Sequence, residues 1–235
     1  MPMYERDDAD GVRVIDRWDG GVGWLAHPEE EGKRASHAVR GPDAGVWLLD
    51  PLDAPGVDAL VSDLGEVVGV AVLSNWHARD AGAFARRHDV PVTVPRWLDR
   101  IEELVDAPVE RFGTKLGDSG FRLRRLDPLP GWREAIAYRE RDATLYVPDV
   151  LTTLPPWTVG DERMALGLPH RLRPPKSAFA DLEPERVLFG HGAGIFEDST
   201  TALTTAFSGA RRRFPRALLT SGWSQIRAAI GVALD

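Results

Sequence analysis

The chain has 235 residues, 43% hydrophobic and 28% charged, with a formal net charge of −7 and no cysteine. That length is enough for one sizeable core, so residues 1–235 are expected to form a single domain. The missing cysteines exclude a disulfide framework, thiolate ligands and a cysteine nucleophile, and the acidic balance argues against nucleic-acid binding.

Taken in chain order, the pattern alternates strands with helices. Val12 to Trp24 and Val46 to Leu49 read as early strands, the second closed by Asp50-Pro51. Val57, Leu60, Val61 and Leu64 have helical spacing and stop at Gly65. Val67 to Leu73 is a continuous apolar run, which predicts a strand buried on both faces. A short helix from Asp80 to His88 and a strand from Val90 to Val94 follow. Phe121 to Leu126 alternates apolar and charged residues, as a half-exposed strand does. Ala135–Tyr138 and Thr144–Val147 read as a hairpin pair around Glu140-Arg141-Asp142. Leu154 to Pro175 holds five prolines (Pro155, Pro156, Pro169, Pro174, Pro175), and a loop that long reads as a lid or insertion. Arg186 to Phe189 is a short strand ending in Gly190-His191-Gly192. Two helices are expected to close the chain, one from Asp198 or Ser199 through Phe214 and one from Ser224 to Leu234.

No window reaches the roughly 18 consecutive apolar residues of a membrane span. Met1 to Asp10 also lacks an apolar signal core, so a soluble, cytoplasmic protein without a membrane partner is expected.

The most informative segment is Ser74-Asn75-Trp76-His77-Ala78-Arg79-Asp80-Ala81-Gly82, directly after the apolar run. It resembles the T-H-x-H-x-D-H-x-G loop of the metallo-β-lactamase superfamily, with Asn75, Arg79 and Asp80 where that pattern has His, Asp and His. Further pieces resemble the family in the right order. Asp50 matches an early strand-ending Asp. Pro130-Gly131-Trp132-Arg133 has a P-G-H-T-like turn with Trp132 at the His, Pro148-Asp149 matches the bridging Asp, and Gly190-His191-Gly192 matches the late His. The resemblance spans about residues 40–200. It implies an α/β fold of four layers, the αββα sandwich in which helices flank two mixed β-sheets.

The resemblance also implies a remodelled metal site. Of the first site's three imidazoles only His77 is present. The second site is left with Asp80, Asp149 and His191 as a two-carboxylate, one-His set, to which His77 could add a fourth ligand. Asp149 and Asp80 are then the candidate catalytic groups, and the ligand set suits at most one ion of Zn, Mn or Fe. A guanidinium is never a ligand and repels a cation. Arg79 is therefore expected to pair with Asp80, Asp149 or another cleft carboxylate, and Asn75, Trp76, Arg79 and Trp132 to line the cleft. Either no metal or one metal is compatible with these residues.

Two functions follow as expectations. One is a hydrolase-like protein without the two-metal centre, acting, if at all, on an ester or thioester of a small molecule. The alternative is a catalytically silent protein that binds a small ligand or regulates through the old cleft. A nuclease of the same fold is disfavoured by the acidic balance. Elsewhere, Trp47 reads as core, His88 and Arg211-Arg212-Arg213 as solvated helix ends, and His170 as the one lid histidine to watch.

Overall fold

The computed structural model describes residues 2–155 and 157–233, with residues 129 and 228–233 as backbone only. Its larger sheet has seven strands in sequence order: β1 Arg13–Trp18, β2 Gly21–Leu25, β3 Ala35–Arg40, β4 Val46–Leu49, β5 Val67–Ala71, β6 Val92–Pro95 and β7 Val109–Phe112. β1 to β4 are antiparallel neighbours, and β4 to β7 run parallel. The parallel crossovers carry α1 Val57–Ser62, α2 Ala81–His88 and α3 Ile101–Leu104. The second sheet comprises β8 Arg122–Leu129, β9 Trp132–Arg139, β10 Thr144–Val147 and β13 Arg186–Phe189, in the order β13-β10-β9-β8. β13 is parallel to β10 and the other pairs are antiparallel.

Strand alternation explains the layers. In β4, Val46 and Leu48 pack with Val57, Val61 and Phe84 of the helices, whereas Trp47 and Leu49 pack with Phe121, Ala137, Tyr146 and Leu188 of the other sheet. On that sheet's far face, Leu145, Val147, Val187 and Phe189 meet Leu203, Ala206, Phe207 and Ala210 of α6, Ser199–Ala233. Helix, sheet, sheet, helix: this is the αββα sandwich.

Several expected elements needed correction. Val12–Trp24 is two strands, because Asp19-Gly20 turns the chain back on itself as a hairpin. β3, α3 and β7 were not anticipated: α3 and β7 have four residues each, and the sequence of β3, ASHAVR, does not alternate. The two expected final helices are one, α6, running through Pro215. That residue faces solvent, so the carbonyl it leaves without an N–H can be hydrated. The expected end at Leu234 lies outside the described residues, as does Pro156. The Pro-rich stretch has structure of its own: β11 Leu151–Thr152 pairs with β12 Ala165–Leu166, followed by α4 Leu168–Leu172 and α5 Lys176–Phe179. Arg213, expected in a solvated turn, is buried and donates to Asp161 at 2.7 Å, while Arg211 and Arg212 are exposed. Among the described residues, no helix is long and apolar enough to cross a membrane.

Candidate functional site

Parallel strands end together, and the ends of β4, β5, β10 and β13 meet at one edge of the sandwich. Asp50 follows β4, the Ser74–His77 loop follows β5, Asp149 follows β10 and His191 follows β13. Loops beyond the carboxyl ends of parallel strands are where an open α/β sheet builds a crevice. The backbone there is held in costly conformations: Asp50 has φ 46° and Arg79 φ 42°, both left-handed. Gly190 has no alternative, since a Cβ on it would lie 2.3 Å from the Pro148 carbonyl oxygen and 2.8 Å from His77 Cε1.

The polar floor is built around Asp149. His77 Nε2 lies 3.0 Å and His191 Nε2 3.3 Å from Asp149 Oδ1, and Ser74 Oγ donates to Asp149 Oδ2 at 2.6 Å. Each imidazole is oriented from behind. His77 Nδ1 meets Asp50 Oδ2 at 2.8 Å, and His191 Nδ1 meets the Gly32 carbonyl oxygen at 2.7 Å. Asp50 is fully buried and also accepts from the Tyr146 hydroxyl (2.5 Å) and the Leu73 N–H (2.8 Å). Glu134, equally buried, accepts the N–H of Asp149 at 2.9 Å and of Val150 at 3.3 Å.

Charges follow from that packing. Burial and the Arg79 guanidinium press the His77 pKa down, but the carboxylates of Asp149 and Asp50 outweigh them and hold it above the usual value. Burial dominates at His191 and holds its pKa low. Burial tends to raise the pKa of Asp149, yet the charge of His77 keeps it well below the usual carboxylate range. Burial and the neighbouring Asp149 push Glu134 well up.

His77, Asp149 and His191 offer ligand atoms that all lie within 4.8 Å of one another, a set able to hold one ion. Asp80, expected as a ligand and catalytic group, stands outside this set. Its Oδ2 accepts the Asp53 N–H at 2.7 Å as it precedes α2, so its carboxylate serves the loop after β4. His77, expected as an auxiliary ligand, is a full member instead. Arg79 also departs from expectation. No carboxylate pairs with it among the described residues, and its guanidinium donates to the carbonyl oxygens of Ala35 (2.7 Å), Asp50 (2.7 Å) and Gly190 (3.0 Å). It thereby ties β3 and β4 to the end of β13, with Nη2 3.4 Å from His77 Nε2.

A cavity of about 660 Å³ opens above this floor. Asn75, Trp76, Arg79 and Trp132 line it as expected, together with Tyr4, Trp157, His170 and residues of α6. Asn75 donates to Asp99 Oδ1 at 3.2 Å, and the Arg100 guanidinium sits 4.1 Å from the Trp76 ring centre. Sequence reading gave no site role to Ser74, although it opens the motif loop, and missed Glu134 and Tyr146, which reach the site only through the fold. No spacing rule links Glu134 to Asp149 or Tyr146 to Asp50.

No sequence-family model and no curated protein sequence matches the chain. Solved structures do. The DIM-1 metallo-β-lactamase exposed to ceftazidime is similar with TM-score 0.61 and 13% identity over 88% of this chain and 99% of that one. A metallo-β-lactamase from Pontibacter korlensis gives TM-score 0.56 and 15% identity over 85% and 99%. TTHA1623 in a di-iron-bound form gives 0.51 and 20% over 74% and 94%. The chain has the metallo-β-lactamase fold.

Proposed function

We propose that the chain is a hydrolase-like protein whose cleft holds at most one divalent ion, on His77, Asp149 and His191, and acts on an ester or thioester of a small molecule. One observation carries this reading. With Nδ1–H of His191 given to Gly32 and burial keeping the ring neutral, its Nε2 lone pair faces an oxygen of Asp149 3.3 Å away. Two lone pairs so placed call for a cation between them. Imidazoles whose far nitrogen is held by a carboxylate or carbonyl are also the usual arrangement around a bound metal. The donor set suits Zn, Mn or Fe, and one ion is proposed rather than two because, among the described residues, Asp80 accepts from Asp53 away from this set and Arg79 is cationic.

Bound there, a divalent ion supplies Lewis acidity toward a substrate carbonyl. The chain's own groups do the rest. Asp50 fixes the tautomer and tilt of His77, and Ser74 fixes the carboxylate plane of Asp149. Arg79 places an immobile positive charge beside the imidazoles, which favours negative charge developing on a carbonyl oxygen. Without an ion, the raised pKa of His77 favours a proton bridging Asp50 and Asp149, so ion uptake displaces a proton.

The same Arg79 favours a second reading, a metal-free protein that binds a small ligand in the cleft, since a guanidinium 3.4 Å from a ligand nitrogen opposes a cation. Elemental analysis of protein purified without chelator, followed by calorimetric titration with Zn²⁺ and Mn²⁺, separates the two. The proposal expects one equivalent, abolished by Asp149→Ala and by His191→Ala. No uptake favours the metal-free binder, and two equivalents, both lost in Asp149→Ala, refute both readings.

A further inference from the structure

The described residues contain eleven buried side-chain nitrogen or oxygen atoms without a hydrogen-bond partner. Six of them belong to residues lining the one cavity above the Asp149 floor: Asn75 Oδ1, Trp76 Nε1, Arg79 Nε, Trp132 Nε1 and both ring nitrogens of His170. Leaving a buried donor or acceptor unmade is costly, and native interiors do so rarely. Their concentration around a single cavity marks a surface whose partners arrive with a ligand.

His170 stands out among them. It lies on α4 in the Pro-rich stretch, is only 6% exposed, and meets the Trp132 ring edge-on with centroids 6.4 Å apart. The same cavity is lined by the apolar side chains of Trp157, Leu168, Leu218 and Ile226, and by Gln225, whose amide oxygen is already occupied by the Leu168 N–H at 2.7 Å. Burial lowers its imidazole pKa to about 4, so it is uncharged at neutral pH and offers one donor and one acceptor. A charged group beside it would be buried without a counter-charge from this ring.

We infer that the part of the cavity beside His170 is a recognition subsite for an apolar, ring-sized or acyl body bearing an uncharged hydroxyl or carbonyl, which hydrogen-bonds to His170. The cavity volume is that of a site for a drug-sized molecule. His170 determines specificity here and takes no part in the chemistry on Asp149. The inference rests on the reading of the cleft as the working site but not on any ion in it.

The test uses two naphthalene probes of nearly equal size, 2-naphthol with one hydroxyl and 2-methylnaphthalene with none. Binding is followed by quenching of tryptophan fluorescence, on the full chain before and after treatment with EDTA. The wild-type chain is expected to bind 2-naphthol more tightly. His170→Phe keeps the ring and removes both nitrogens, so it should weaken 2-naphthol about five- to tenfold, the worth of one hydrogen bond, and leave 2-methylnaphthalene within twofold. His170→Gln should recover part of the loss. EDTA should change neither affinity, so a failed metal reading leaves this result standing. A chain that binds neither probe, or a His170→Phe variant that weakens both equally or neither, overturns the inference whatever the metal content.

Discussion

At the scale of single residues, the site depends on groups that never face the cavity. Asp50 is the centre of one such arrangement, fully buried in a left-handed conformation with three donors converging on its carboxylate. Asp50→Ala strands all three, and removing one partner from a buried charged network costs about 3–5 kcal/mol. Urea unfolding followed by circular dichroism should show that loss. Any ion on His77 should bind ten- to a hundredfold more weakly, because the imidazole loses the partner that holds it. Unchanged stability would mean that water replaces the carboxylate and that the site is more open than its burial indicates. His170 gives a prediction of opposite sign with pH. Its folded pKa, about 4, lies below the ordinary value of 6.5, so the unfolded chain binds its proton first as pH falls. The group therefore costs no stability above about pH 7, and between roughly 6.5 and 4 it removes up to about 3 kcal/mol. His170→Phe should lose correspondingly less stability than wild type between pH 7 and pH 4.5. Parallel losses in the two proteins would place the ring in contact with solvent.

At the scale of elements, the Pro-rich stretch forms one wall of the cavity and is pinned by an internal ion pair. Arg171 and Glu162, both with side chains at most 1% exposed, meet through two contacts of 2.7 Å, and Arg171 also donates to the Trp157 carbonyl at 2.9 Å. Glu162→Gln leaves the guanidinium buried with a neutral partner, at a cost on the order of 3 kcal/mol. Local opening should absorb it. Hydrogen exchange should speed up in residues 154–175 while the amides of β5 stay protected; uniform acceleration would instead show that the stretch unfolds only with the whole domain. What the sequence disclosed at this scale was uneven, for physical reasons. β10 and β13 were legible to the residue, because their apolar runs are bounded by turns and buried on both sheet faces. The hairpin break carries a signal that the reading of Val12–Trp24 as one strand passed over, the Asp19-Gly20 pair between two strand-like runs. The two final helices were read apart because the apolar stripe stops at Phe214, whereas α6 runs on through the exposed Pro215, where water can satisfy the carbonyl left without a donor. Among site residues, His77, Asp149 and His191 were legible from an ordered set of loop motifs. Asp80 was misplaced by the same set: adjacent residues in a loop point in different directions, and only coordinates show which one faces the cleft.

At the scale of the whole molecule, the two sheets are joined at the cleft edge by a cation. Arg79 donates to carbonyls just after β4 and in the first residue of β3 on one sheet and to Gly190 after β13 on the other, where a carboxylate partner had been expected. Two consequences follow from one side chain, and they have opposite signs. Arg79→Ala removes three charge-assisted hydrogen bonds in a half-buried place; Asp50 O keeps the Ser36 hydroxyl and Gly190 O the Ala35 N–H, so at about 1 kcal/mol for each lost bond the fold should lose roughly 3 kcal/mol at most. The same change removes a unit positive charge next to His77 Nε2. With an effective dielectric of about 20, a charge a few ångströms away is worth on the order of 4 kcal/mol before screening, so affinity for a divalent ion should rise at least tenfold. Arg79→Lys separates the terms. Its ammonium keeps the charge but lacks the planar fork that reaches three carbonyls, so it should lose stability much as Arg79→Ala does while binding the ion no better than wild type. Urea unfolding measures the first term and Zn²⁺ titration calorimetry the second. If Arg79→Ala unfolds more easily but binds Zn²⁺ no more tightly, the guanidinium acts only as a brace between the sheets, and its charge has no part in setting how many ions the cleft accepts.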